Sequence, residues 1–108
     1  MPFYHAKDRQ GKSILPGASI QTFWGERIHL SLVTIEPGGS VPRHSHTHEQ
    51  AGTVLEGEMT LGIGSEERAV RPGDFYVIPS GVEHWVAQTK RRIVALDIFS
   101  PVREDYKY

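Results

Sequence analysis

Residues 41–50 read VPRHSHTHEQ and place three histidines, a glutamate and a glutamine within seven positions of a chain that holds only six histidines. A metal site, a pH-sensitive patch and a chance polar loop all fit that composition. If residues 41–46 are extended, side chains alternate across the strand, so His44 and His46 point to one face and two imidazoles can reach one ion. Gln50, four residues beyond His46, has the same parity and offers an amide oxygen. A lone His-x-His is a weak signal, because surface histidines are common, so the segment needs a partner elsewhere. His84 is the candidate. It follows PSGVE (79–83), whose proline and glycine aim the next strand. Taken alone, it reads as a loop histidine at a strand end.

The rest of the chain supplies the frame. At 108 residues it is the size of one domain, and without cysteine it has neither thiolate ligands, thiol nucleophiles nor disulfides. Twelve Lys+Arg against thirteen Asp+Glu leave a net charge of -1, which gives no field to draw nucleic acid or an acidic membrane. The opening MPFYHAKDRQ lacks the apolar stretch of a signal peptide, and no run approaches transmembrane length. The expectation is a cytoplasmic domain with neither nucleic acid nor membrane as partner.

Glycine and proline punctuate the chain as turns at LPG (15–17), EPGG (36–39), EGE (56–58), GIGSEE (62–67), RPGD (71–74) and PSGVEH (79–84). Between them lie short runs rich in β-branched and aromatic residues: IQTFW, IHLSLVTI, AGTVLE, MTLGI, FYVI, HWVA and RRIVALDIF. Several alternate in polarity, and no segment carries a helical stripe. The fold class is therefore all-β, a sandwich or barrel of short strands. Residues 100–108 read as a tail lying over the body. In RRIVALDIF, Ile93, Ala95, Asp97 and Phe99 share one face, while Val94, Leu96 and Ile98 share the other. If the branched set packs inward, Asp97 faces the cavity or the exterior, and a mid-strand aspartate needs a partner or a task.

Gly38, five residues, His44-x-His46, three residues, Gln50, six residues and Gly57 resemble the first motif of the cupin superfamily. Gln50 stands where that family usually has glutamate. Gly73, five residues, Pro79-x-Gly81, two residues, His84, three residues and Gln88 resemble the second motif, with Gln88 in place of the usual asparagine. The resemblance implies one cupin domain over 1–108: a small antiparallel jelly-roll barrel whose metal-binding core spans about 38–88. It further implies one divalent transition metal held by His44, His46, Gln50 and His84. Imidazole and amide donors suit zinc, nickel, iron, manganese or copper, and they leave the ion's charge uncompensated. The motif passes over His48, which reads as a rim residue. Glu49 points the other way and is expected to hydrogen-bond a ligand imidazole. His5 and His29 receive no role.

Asp97-x-Phe99-x-x-x-Arg103, together with HEQAGTVLEGE and LDIFSPVRED, resembles the KdgF-type pectin-degradation cupins, which linearise 4,5-unsaturated monouronates. The resemblance implies that Asp97 and Arg103 are catalytic and that Phe99 and Arg103 bind substrate. Arg103 would clamp the uronate carboxylate, Phe99 would offer a flat face to the sugar ring, and Asp97 would move a proton. Arg103 also has a plainer reading as a tail residue paired with Glu104 or Asp105. Two other functions compete: a metal-dependent dioxygenase of a small organic substrate, and a non-catalytic module binding a sugar or small acid. A homodimer is expected, since sheet edges together with Trp24 and Trp85 would benefit from cover.

Overall fold

The computed structural model describes residues 3–108. Ten strands follow one another: β1 (Lys12–Leu15), β2 (Ala18–Trp24), β3 (His29–Ile35), β4 (Val41–His44), β5 (Glu49–Glu56), β6 (Met59–Ile63), β7 (Glu66–Val70), β8 (Phe75–Ile78), β9 (His84–Val86) and β10 (Ile93–Ser100). Single 3-10 turns precede β1 (Ala6–Asp8) and follow β10 (Glu104–Tyr106). No helix among the described residues is long and apolar enough to cross a membrane.

Every ladder is antiparallel. A six-stranded sheet runs β1-β2-β3-β10-β5-β8, and a four-stranded sheet runs β4-β9-β6-β7. Among the described residues no ladder joins the two, so the jelly roll is a pair of facing sheets and not a closed cylinder. The core lies between them, where Ile35, Val54, Met59, Leu61, Ile78 and Ile93 are buried. In β5 the pattern alternates cleanly, with Gln50, Gly52 and Val54 inward.

The motif glycines have a backbone reason. Gly38, Gly57, Gly73 and Gly81 all adopt positive φ, between 78° and 100°, a region that other residues rarely enter. Two of them also join the motifs. The Gly38 carbonyl accepts from the Gln88 amide at 3.2 Å, and the Gly81 N–H donates to the His46 carbonyl at 2.8 Å.

Four expectations need correction. The segment through His46 is not one strand, because β4 ends at His44 and residues 45–48 bend before β5. GIGSEE is not all turn: only Gly64 and Ser65 turn, and the polar, exposed β7 begins at Glu66. In β10 the branched set faces outward, with Ile98 exposed, while Ile93, Ala95 and Phe99 are buried. Asp97 therefore shares the inner face. The tryptophans are covered by their own chain. Trp85 lies over Gly62, whose missing side chain leaves room for the indole, and carries the Arg43 guanidinium 3.9 Å above its ring. Trp24 lies under Arg9 at 4.8 Å.

Candidate metal centre and its acid

The fold brings the histidines together at one end of the sheets. His44 closes β4 and pairs across the ladder with His84, which opens β9. Their ring centroids are 4.2 Å apart. His46 sits in the bend that Gly81 anchors, 4.8 Å from His84 and 5.9 Å from His44 between centroids. One ring nitrogen from each of the three lies within 4.8 Å of the others, a group that could hold a metal ion.

Each imidazole is oriented by a backbone carbonyl two residues away. The Nδ1 of His44, His46 and His84 lies 2.8, 2.9 and 3.0 Å from the carbonyls of Pro42, His48 and Val82 respectively. A carbonyl only accepts, so each Nδ1 carries the proton and each Nε2 keeps a lone pair. The His84 Nε2 is buried with no hydrogen-bond partner. Burial holds the His84 pKa down at about 4 and is also the main reason His46 titrates below its ordinary value. Both rings are neutral, as metal ligands must be.

Gln50 supplies the decisive contact. Its Oε1 lies 3.0 Å from the His46 Nε2, while its amide hydrogen-bonds the Asp97 carboxylate. The Oε1 and the Nε2 are both acceptors, so two lone pairs face one another across a short gap. A cation between them removes that conflict, and the donor set fits one. Glu49 is exposed and supports no ring; the three carbonyls do so instead. His48, half-buried, contributes through its carbonyl.

Asp97 belongs to a row that runs across the six-stranded sheet. Ser31 pairs with Asp97, Asp97 with Gly52, and Gly52 with Tyr76. The Tyr76 hydroxyl donates to the Asp97 Oδ1 at 2.7 Å. A Cβ on Gly52 would come within 2.5 Å of both groups, so only glycine lets them meet over β5. Burial pushes Asp97 up to about 6, against the pull of hydrogen bonds from Tyr76 and Gln50. Burial, then the Asp97 charge, raises the Tyr76 pKa, which keeps the phenol protonated. The sequence reading missed Tyr76 and Gly52. The signal was there in the parity of FYVI and in a glycine inside a strand pattern.

These groups line a cavity of about 70 Å³ with His44, His84 and Arg103 on its wall. Phe99 is only 3% exposed, meets His46 edge-on at 5.7 Å and lines the same cavity. Arg103 directs two N–H groups at Asp105, at 2.8 and 3.3 Å, and lies 3.7 Å over the Tyr106 ring. Its charge nonetheless reaches the cluster, lowering the pKa values of His46 and His84.

Residues 31–99 match the Cupin_2 model, described as a cupin domain. The chain belongs to the cupin family. It is 29% identical over 84 residues to the pectin degradation protein KdgF of Dickeya dadantii, covering 77% of this chain and 76% of that one. The solved structure of KdgF from Halomonas sp. superposes with a TM-score of 0.88 at 25% identity, over 95% of this chain and 97% of that chain. Oxalate oxidase 1 of Hordeum vulgare is 36% identical over 67 residues, which span 54% of this chain and a third (33%) of that protein. The chain is thus a KdgF-like cupin with a three-histidine site.

His84→Ala should lower zinc affinity roughly 100-fold or more, since even outer groups that orient ligands are worth 10–100-fold. Calorimetric titration of the folded variant checks this; wild-type affinity would remove His84 from the site.

Proposed function

We propose that this cupin is a cytoplasmic, metal-dependent enzyme that converts 4,5-unsaturated monouronates to their linear keto form. The observation that supports this reading most is Asp97: an ionisable carboxyl, hydrogen-bonded to Tyr76 and Gln50, that lines the same cavity as His44 and His84. A binding module has no need of such a group. The similarity to KdgF supports the substrate class.

His44, His46, His84 and Gln50 would hold the ion. When bound, a divalent metal acts there as a Lewis acid that polarises a coordinated oxygen and stabilises negative charge. The chemistry left to the chain is proton movement. Ring opening takes a proton from the anomeric hydroxyl, breaks the C1–O5 bond to give the C1 aldehyde and a C5 enolate oxygen, and returns a proton to C4. The C5 ketone results, with atoms and electrons conserved. Asp97 is the group assigned to move these protons. Tyr76 and Gln50 fix its orientation, so little reorganisation precedes transfer.

The cavity admits water-sized groups, so a sugar ring approaches from its mouth. Two of the five N–H donors of Arg103 are engaged by Asp105, and the others are assigned to the uronate carboxylate. Tyr106 is the aromatic surface beside them. The partner so described is a small anionic sugar.

Similarity to an oxalate oxidase supports a second reading in which O2 is consumed, of the same kind as a metal-dependent dioxygenase of a small organic substrate. The two separate on oxygen, which ring opening does not consume. With zinc- or nickel-loaded protein under anaerobic conditions, the ultraviolet absorbance of the conjugated C=C–carboxylate should fall faster than without protein. Asp97→Asn should keep its metal and lose about 100-fold or more of that rate. Retention of full rate would end the acid-base assignment, and strict oxygen dependence would favour the O2-consuming reading.

A homodimer belongs to the same proposal. Phe75, Val77 and Leu55 stand exposed on β8 and β5 at the edge of the six-stranded sheet, an apolar face that a second copy would cover. Sedimentation should give a dimer that Phe75→Glu dissociates; a wild-type monomer would remove it.

A further inference from the structure

His29 has no role in the site, yet it is completely buried, at 0% exposure, and both its ring nitrogens are engaged by the C-terminal segment. Its Nδ1 accepts from the Arg103 backbone N–H at 3.0 Å. Its Nε2 lies 3.1 Å from the Tyr106 carbonyl. An N–H that donates and a carbonyl that accepts allow a single assignment: Nδ1 bare, Nε2 protonated, ring neutral. One imidazole thus grips both ends of the turn at Glu104–Tyr106. Thr22, on β2, adds a hydroxyl donated to the same Tyr106 carbonyl at 2.6 Å. Aromatic contacts close the cluster, with the His29 ring 6.4 Å from Phe99 and 6.5 Å from Tyr106, both edge-on.

We propose that His29 is the positioning residue for Arg103, holding the C-terminal segment so that the guanidinium stands at the mouth of the metal site. The ion pairs of this segment, Arg103–Asp105 and Lys107–Glu104, are internal to it. Its other contacts with the sheet include cation–π and ring contacts, Lys107 over Trp24, Lys12 over Tyr108 and Tyr106 against Phe99, with one long hydrogen bond of 3.5 Å from the Tyr108 N–H to Thr22. Internal pairs shape a turn but do not dock it. The short hydrogen bonds from the sheet to the turn itself come from His29 and Thr22. The role of Arg103 as carboxylate clamp rests on the uronate reading; the tether itself does not.

The tether has a chemical signature. A protonated His29 would present N–H to the Arg103 N–H, so docking requires the neutral ring. The charged groups around it are Arg103 and Lys107, which disfavour protonation, and Asp105, which favours it; Tyr106 is the phenol in contact. The flanking residues on β2 and β10, Thr22, Trp24 and Phe99, do not titrate in the working range. Burial first, then Arg103 and Lys107, depress the His29 pKa below its ordinary 6.5. A group that favours its neutral form when docked gives up that stabilisation as the pH falls, so the tail is held at and above neutrality and loosens in acid.

The test uses the intact metal-loaded protein and two variants. Glutamine can present one acceptor and one donor at imidazole-like separation without titrating, whereas phenylalanine fills the volume and offers neither. His29→Phe should exchange the Arg103 amide hydrogen roughly tenfold or more faster than wild type by NMR, the loss of about one buried hydrogen bond or more. It should also raise KM for the unsaturated uronate by about tenfold while kcat changes little, since the metal and Asp97 are untouched. His29→Gln should restore slow exchange and low KM, and should flatten the acid-side rise in KM expected of wild type. Wild-type exchange at Arg103 in folded His29→Phe overturns the tether, as does a His29→Gln variant no better than His29→Phe. Faster exchange with unchanged KM overturns the positioning role. If no uronate is turned over by any form, the function reading fails, while the exchange measurement still decides the tether.

Discussion

Three backbone carbonyls, those of Pro42, His48 and Val82, decide what this site can be. Each takes the Nδ1 proton of a histidine close by in sequence, and each thereby leaves an Nε2 lone pair unused. The pairing of His44 with His84 across β4 and β9, and the bend that Gly81 ties at His46, bring those lone pairs to one point. Without a cation the arrangement is poor chemistry, since acceptors face acceptors and the buried His84 Nε2 has no partner. The fold bears that cost because antiparallel ladders on both sides hold the rings in place. The carbonyl supports also free the side chains of this region for other work, which is why Glu49 lies in solvent.

A second constraint sits one strand away. Gly52 lacks a side chain where Asp97 and Tyr76 must meet, so the sheet carries an acid and a phenol in contact over a gap in its inner surface. Gln50 links the two features, its oxygen toward the imidazoles and its amide toward Asp97. Metal centre and acid therefore meet at one side chain, and a change in either reaches the other through a single amide. Arg103 reaches the same unit from the C-terminal segment, which His29 and Thr22 hold against the large sheet.

The metal cluster was legible in the sequence because it depends on spacing and on glycines with positive φ, which leave a regular trace. His44, His46 and His84 converge as their positions suggested, although the strand argument for His46 was wrong: a bend and a glycine anchor, not parity, deliver it. The strands with alternating β-branched residues were legible for the same reason. β7 was hidden because it is an exposed polar edge with almost no apolar signal. The inward face of β10 was misjudged because hydrophobicity argued for Val94, Leu96 and Ile98, whereas a cavity needing Asp97 claimed the other face. Tyr76 and Gly52 left only a faint trace, strand parity and a glycine inside a strand, and like His29 they act through tertiary contacts between strands far apart in the chain, so local pattern did not reveal their partners.

The tautomers of the three histidines test the central claim most directly. Long-range proton–nitrogen correlation spectra of metal-free protein with ¹⁵N-labelled histidine distinguish the two ring nitrogens. A protonated Nδ1 and a bare Nε2 are expected at His44, His46 and His84, with zinc then shifting all three Nε2 signals together. A protonated Nε2 at His84, or zinc shifting Nδ1 instead, would contradict it.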